Sequence, residues 1–471
     1  MGMFAKFGRK EDPQNYADKD GHLVPVLGTR EMIAMGVGTI VGAGIFTMPG
    51  IVAADYAGPA VTLSFVVAAV VAGLAALAYS EFASALPFAG SIYSWANVVF
   101  GEFWGWISGW AILAEYLIAL ALVASSWSAY FQGFVERIGI DIPTFMSGAY
   151  NAQAGTYFDF FGAVALILVA LLVRNGVKGA ARVESVLVVL KIAVILLFIV
   201  VGATAIRVNN WTPFIPAHQA GTSFGGLSGV WAGAAQVFFA YLGFDMIAAN
   251  SAEAKNPQKT MPRSIVGSLG IATVLYVLVS AVLVGMFHYT QYKNNAEAAA
   301  WALAKSGHVF TANMLSIVAL VGMFTGLIAL MLGGSRLIYA FGRDGMVPKT
   351  LGKLDERGLP NNAVLWVTLA AIVLGSIFPV GMLANLVSSG TLIAFIFAAV
   401  GILVLRRRKD IDHSGFLMPL YPVLPLVSAG ASLFLLAELN IDAKLVTLGW
   451  VIFGAIIYML YGVRHSTKNE N

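Results

Sequence analysis

Long apolar runs alternate with short polar stretches along almost the whole chain. Twelve such runs lie at 31–54, 59–82, 103–134, 157–174, 183–206, 228–250, 265–288, 309–340, 362–379, 382–405, 417–437 and 444–463. Each offers roughly the 20 apolar residues that a helix needs to cross a bilayer core. No unpaired backbone group can face lipid, so the runs are expected to be helical. None shows the period-two alternation over about ten residues that marks a strand of an outer-membrane barrel. The third and eighth runs are long enough to include an interfacial turn.

Composition agrees with this pattern. Of 471 residues 59% are hydrophobic and 11% charged, and 50 more are glycine; a chain so apolar could not keep three soluble domains in water. The formal net charge of +4 is small, and the basic residues form no single stripe, which excludes a nucleic-acid binder. The absence of cysteine excludes disulfides, thiol catalysis and thiolate metal sites. Residues 1–30 are polar and lack the apolar core of a signal peptide. Terminal segments and loops after even-numbered runs, taken with Arg174 and Arg336 near the ends of the runs before them, hold 22 of the 28 Lys and Arg, and loops after odd-numbered runs, taken with Lys444 at the start of the twelfth run, hold five. Positive charge accumulates on the cytoplasmic side, so the expectation is a multi-pass protein of the plasma (cytoplasmic) membrane with both termini cytoplasmic.

With no sizeable soluble domain, the open functions are movement of a solute, sensing, or chemistry on a membrane substrate. Glycine placement favours movement. The first run contains GVGTIVGAGIFTMPG, with Gly42-Ala43-Gly44 at mid-depth. Each interior glycine weakens a helix by about 1 kcal/mol relative to alanine, so the helix is expected to unwind there. The sixth run carries FFAYLGFDMIAANSAE, where Phe239, Ala240, Tyr241 and Gly243 mark a second interruption. Interrupted segments at corresponding positions of two halves point to an inverted-repeat transporter with a midplane site. Amides freed at a half-helix N-terminus attract a carboxylate, and freed carbonyls attract a cation; a zwitterionic amino acid carries both. Close helix packing is the competing explanation for these glycines, and it is the preferred one for Gly101, Gly105 and Gly109.

Two charges lie deep. Lys191, nine residues after Arg182, sits about 13 Å into the membrane at 1.5 Å per residue. Intramembrane ionisable residues are functional by default, and an amine withdrawn from water can exchange a proton at physiological pH. The alternative is a static lysine that pins its span to backbone carbonyls of the first. Glu115, about eleven residues into the third run, could accept a proton, meet a substrate ammonium or only bond a neighbouring helix. Asp245 is expected in an inner-side polar network with Glu253 and Arg263, and Glu81 and Glu184, at span ends, as interfacial structure. No metal-ligand spacing, catalytic cysteine or histidine beside a nucleophile occurs in the deep runs, so the chain is read as no enzyme, with no cofactor and no metal.

The segments GVGTIVGAGIF, AGPAVTLSFVVAAVVAGLAALAYSEFASALPFAGSIYSW, FFAYLGFDMIAANSAEAKNPQKTMPRSI and SRLIYAFGRDGMVP resemble the amino acid-polyamine-organocation superfamily. The likeness runs from about Gly28 to the C-terminus, and is nearest to bacterial relatives of the cationic amino acid transporters. It implies an all-α polytopic protein of 12 transmembrane helices, with a leucine-transporter-type 5+5 inverted repeat plus two extra helices. Residues 1–30 would form a cytoplasmic segment, 31–206 the first five-helix repeat, 228–405 the second, 417–463 helices 11–12 and 464–471 the tail. By the same resemblance the substrate α-carboxylate would meet amides around Val41, Gly42, Ala43, Gly44 and Ile45. The ammonium would meet carbonyls of Phe239, Ala240 and Leu242, and Ile40, Ala43, Tyr241 and Phe244 would wall or gate the pocket beside Gly243. Ala43 stands where relatives often carry Thr, and Glu253-Ala254 leaves one acid where relatives often show two. Some members place a lysine at the position of Lys191 in place of a sodium ion, with the proton as coupling ion.

Leu330, six residues before Arg336, stands in a stretch of the eighth run without an acid, and its bulk favours neutral, small or moderately apolar L-amino acids over cationic ones. The sequence reading is therefore proton-coupled uptake of such an amino acid. An exchanger, a cationic amino acid carrier and a non-transporting sensor remain the alternatives, and nothing in the composition requires an auxiliary subunit.

Overall fold

A computed structural model describes residues 8–14, 27–87, 91–175, 180–356 and 358–466, with no side chain described at 180–185 or 249. The first and last segments expected from the sequence, 1–30 and 464–471, thus fall partly outside the described residues. In chain order the helices are α1 (Thr29–Ile40), α2 (Ala43–Val52), α3 (Val61–Ala85), α4 (Ser91–Val99), α5 (Glu102–Arg137), α6 (Phe160–Asn175), α7 (Ala180–Ala203) and α8 (Gly226–Val237). They continue with α9 (Phe244–Ala249), α10 (Pro257–Met286), α11 (Ala298–Lys305), α12 (Val309–Arg343), α13 (Asn361–Ile377), α14 (Val380–Leu405), α15 (Val423–Glu438) and α16 (Ile441–Ile457).

Every apolar run is helical, and eight helical stretches among the described residues are long and apolar enough to cross a membrane. Three shorter apolar helices, α6, α13 and α15, accompany them. Large apolar side chains such as Leu168, Leu172, Val189, Leu196 and Val200 stand exposed on the outer helix faces, as expected of surfaces solvated by lipid. The protein is therefore a multi-pass membrane protein.

Boundaries shift from the expected ones where local chemistry dictates. The run at 157–174 becomes helix at Phe160, because the Asp159 carboxylate accepts the Gly162 amide at 3.0 Å and so caps the first turn. The run at 417–437 becomes helix only at Val423, after Pro419 and Pro422, whose rings fix φ and supply no amide donor. Between α2 and α3 the chain turns through Gly58 at φ +58°.

Two packed groups position the site. In one, α10 lies against α3 and α1, and α8 against α3. In the other, the long α5 is embraced by α12 and α14, with α4, α6, α13 and α16 around it. Gly105 and Gly109 serve packing here: a Cβ on the first would stand 2.4 Å from Asn97 and on the second 2.6 Å from Tyr93.

Both described ends of the chain lie at one end of the bundle. There the buried Glu81 carboxylate takes two bonds of 2.7 Å from Arg406 and one of 2.6 Å from the Met418 amide. Backbone bonds from Glu11 to Asn97, from Glu102 to Arg9 and from Lys255 to Leu27 seat the N-terminal segment beside it. At the opposite end the Arg137 guanidinium pairs with Glu297, the residue before α11, and also bonds Asn313 and Ser316.

Candidate substrate site between two broken helices

The glycines of the first run end α1 at Ile40. Val41 leaves the helical region, and Gly42, at φ −129° and ψ −142°, restarts the chain as α2 at Ala43 with no side-chain cap. The first amides of α2 therefore have no partner within their own helix, and the aligned peptide dipoles place partial positive charge there. The second interruption is built differently. After α8 the chain tightens into a 3-10 turn, Phe238–Tyr241, Leu242 becomes extended, and Gly243 at φ +121° starts α9. Only glycine adopts that angle without strain.

The two interruptions touch. A Cβ on Gly44 would stand 2.5 Å from the Ala240 Cβ, and one on Gly243 would stand 2.8 Å from the Ile40 nitrogen. Small residues thus let two unwound backbones meet where side chains would hold them apart. Tyr276 of α10, fully buried, bridges them: its hydroxyl lies 2.7 Å from the Ile40 carbonyl oxygen and 2.6 Å from that of Ala240. The Phe239 amide donates to the Ser388 hydroxyl at 3.2 Å, which anchors the second break to α14.

A cavity of about 680 Å³, its open mouth included, lies at this junction. Of the residues singled out from the sequence, Ile40, Gly42, Ala43, Gly44, Phe239, Ala240, Leu242, Gly243, Glu115, Lys191 and Leu330 line it. Val41 and Ile45 are buried in the core away from it, the Tyr241 hydroxyl is spent on the Phe65 carbonyl at 2.8 Å, and Phe244 packs edge-on against Tyr79.

Lys191 is buried, and its ammonium donates to the Gly38 carbonyl of α1 at 3.1 Å. Its stem runs along Gly322 of α12, where a Cβ would come within 2.6 Å of the lysine Cε. Across the cavity, Glu115 of α5 accepts the Thr391 hydroxyl at 3.0 Å. Asp245 corrects the expectation placed on it. It lines the cavity and accepts the Gly243 amide at 3.0 Å. Among the described residues no hydrogen bond or ion pair joins it to Glu253 or Arg263. Its place two residues past the second break puts the carboxylate back over the glycine that makes the break.

Other lining residues were not singled out from the sequence: Ala119 and Val123 on α5, and Met323, Gly326 and Ala329 on α12. Helical spacing could have found several. Glu115, Ala119 and Val123 recur every four residues, as do Gly322, Gly326 and Leu330, and residues four apart share a helix face. Tyr276 carries no such signal, because the carbonyls it bridges are 236 and 36 residues away in sequence.

A second cavity, of about 540 Å³, opens among α5, α13, α14 and α16. Its lining is apolar apart from Ser389 and Thr447, whose hydroxyls bond each other. It offers no charge and no unwound backbone, so the chemistry resides in the first.

What this arrangement can do is hold a small polar molecule by main-chain groups within a membrane-embedded bundle. The chain matches the amino acid permease family over residues 27–462. It is 49% identical to the branched-chain amino acid permease of Lactococcus lactis over 98% of this chain and all of that protein. It is 38% identical to the methylthioribose transporter of Bacillus subtilis over 96% of each. It is 34% identical to the mouse cationic amino acid transporter 4 over 87% of this chain and 64% of that protein. These relatives are carriers, and the chain is a transporter and no enzyme. The protein belongs to the amino acid permease family of the amino acid-polyamine-organocation superfamily.

Proposed function

We propose that the protein is a proton-coupled importer of neutral, small or moderately apolar L-amino acids, working by alternating access in the plasma membrane with both termini cytoplasmic. In this reading the chain makes twelve crossings. Those built from α1 to α7 and from α8 to α14 form two inverted five-span repeats, and α15 and α16 lie outside them. The observation that carries it is the contact of two interrupted helices at a membrane-embedded cavity, because freed main-chain groups in lipid need a partner. The substrate carboxylate takes the amides at the start of α2, where the helix dipole favours negative charge. The ammonium takes the carbonyls of Phe239, Ala240 and Leu242.

Lys191 supplies the coupling. As an ammonium it ties α7 to the Gly38 carbonyl of α1; once its proton leaves, the tie weakens and α1 is free to swing away from the scaffold around α5. The movement returns the amine to water, where it takes a proton again.

A second reading, uptake of a cationic amino acid, draws on the two carboxylates, Glu115 and Asp245, that line the same cavity. The apolar wall of Val123, Met323 and Leu330 favours the neutral substrate.

Proteoliposome uptake of radiolabelled leucine, alanine and arginine under an inward proton gradient tests both readings. Wild type accumulates neutral amino acids as the outside is acidified, and Lys191→Ala loses accumulation yet retains exchange across equal pH. Equal accumulation by both at every pH would overturn the coupling. Uptake only into preloaded vesicles would make the protein an exchanger, and arginine outcompeting leucine would favour the second reading.

A further inference from the structure

Two glycines of α12 face the cavity one turn apart, and they behave oppositely. At Gly322 an added Cβ would strike the Lys191 stem at 2.6 Å, whereas at Gly326 it would meet nothing within 4 Å. Gly326 sits inside an unbroken helix, Val309–Arg343, and has no positive φ. Neither backbone geometry nor close packing therefore calls for glycine there, and glycine is among the poorest helix formers. Other glycines with open space on membrane helices, such as Gly270 and Gly430, do not line the cavity. At Gly326 the open space is the cavity itself, beside Ala119, Val123, Met323 and Leu330. The neighbours are apolar, and the two on α5 are small or β-branched.

We propose that Gly326 sets the depth of an apolar recess between α5 and α12 that receives the side chain of a leucine-sized aliphatic amino acid. This rests on the amino acid uptake reading and adds the size limit to it. The Cβ and branches of a larger residue at 326 would occupy the volume into which the substrate side chain extends. One methylene more or less in an apolar pocket changes discrimination by roughly 10–200-fold.

The test uses full-length protein in proteoliposomes, with kcat/KM for leucine and for alanine measured in wild type, Gly326→Ala and Gly326→Val, and a thermal melt of each. The leucine-to-alanine ratio is expected to fall at least about tenfold in Gly326→Val, and by less in Gly326→Ala. The melt should be unchanged or raised, since both replacements improve helix propensity and meet open space. A constant ratio in both variants with wild-type melts would overturn the proposal, as would equal loss of both substrates or a wild type that carries alanine but not leucine. Failure of wild type to carry any amino acid would sink the uptake reading instead.

Discussion

Tyr276→Phe isolates the group that joins the two interruptions. The ring stays, packed against Phe65 and Tyr241 at centroid distances of 5.5 and 5.1 Å, so the substitution leaves no cavity. What goes is one hydroxyl between the carbonyl oxygens of Ile40 and Ala240. Ile40 keeps the Gly42 amide at 2.9 Å, so its loss is partial. Ala240 stands in the 3-10 turn before the break, and the Gly243 amide that might have reached back to it is committed to Asp245. An ordinary buried hydrogen bond contributes about 1 kcal/mol, and a stranded buried acceptor loses about 1–3 kcal/mol. The stranded-acceptor figure already contains the lost bond, and because Ala240 lines the cavity the loss is placed in the lower part of that range, at about 1–2 kcal/mol, or roughly 5- to 30-fold in an equilibrium. The loss falls on bringing the two breaks together, so KM should rise by about that factor and substrate should protect the protein less against heat. Uptake kinetics in proteoliposomes, with melts taken with and without substrate, supply both readings. A variant indistinguishable from wild type in both would refute the claim that this hydroxyl holds the site in register.

Two further substitutions probe other parts of the structure. Gly44→Val drives a side chain into Ala240, where even a Cβ would be 2.5 Å from its Cβ and 2.8 Å from its Cα; overpacking of this kind destabilises by about 1–3 kcal/mol. Uptake should be lost while the protein still reaches the membrane, and retained uptake would mean that the breaks need not touch. Glu297, beside Arg137 at the end of the bundle away from the termini, has its carboxyl pushed up from 4.5 to about 7, because burial outweighs the attraction of the guanidinium. The folded chain thus binds this proton more tightly than the unfolded chain, and the associated stability is complete below about pH 4.5 and lost as pH rises through 7. The melting temperature of wild type relative to Glu297→Gln should fall across that window, and a constant difference would contradict the raised value.

Much of this site was legible in residue order because its determinants are local. Gly42, Gly44 and Gly243 signal broken helices by what they lack, a Cβ, and that deficit acts on their own turn wherever the helix lies. Lys191 stood out because it is the lone charge in the middle of an apolar run. Its acceptor did not, since Gly38 is 153 residues away and only packing chooses among the carbonyls within reach. Asp245 was misplaced for the same reason: six residues of α9 separate the second break from the end of the helix, and sequence distance from the bundle end did not reveal that the carboxylate turns back over Gly243.

The order of residues by itself determined that the chain is a helical membrane protein and where two of its helices fail, because hydropathy, helix propensity and helical rise are properties of neighbouring residues. Only the tertiary structure decided that the two failures meet at one cavity, that Tyr276 bridges them, and that Gly326 faces empty space while Gly322 faces Lys191. Those facts are distances between residues far apart in the chain, set by how whole helices pack, and a pattern that repeats every few residues carries no information about them.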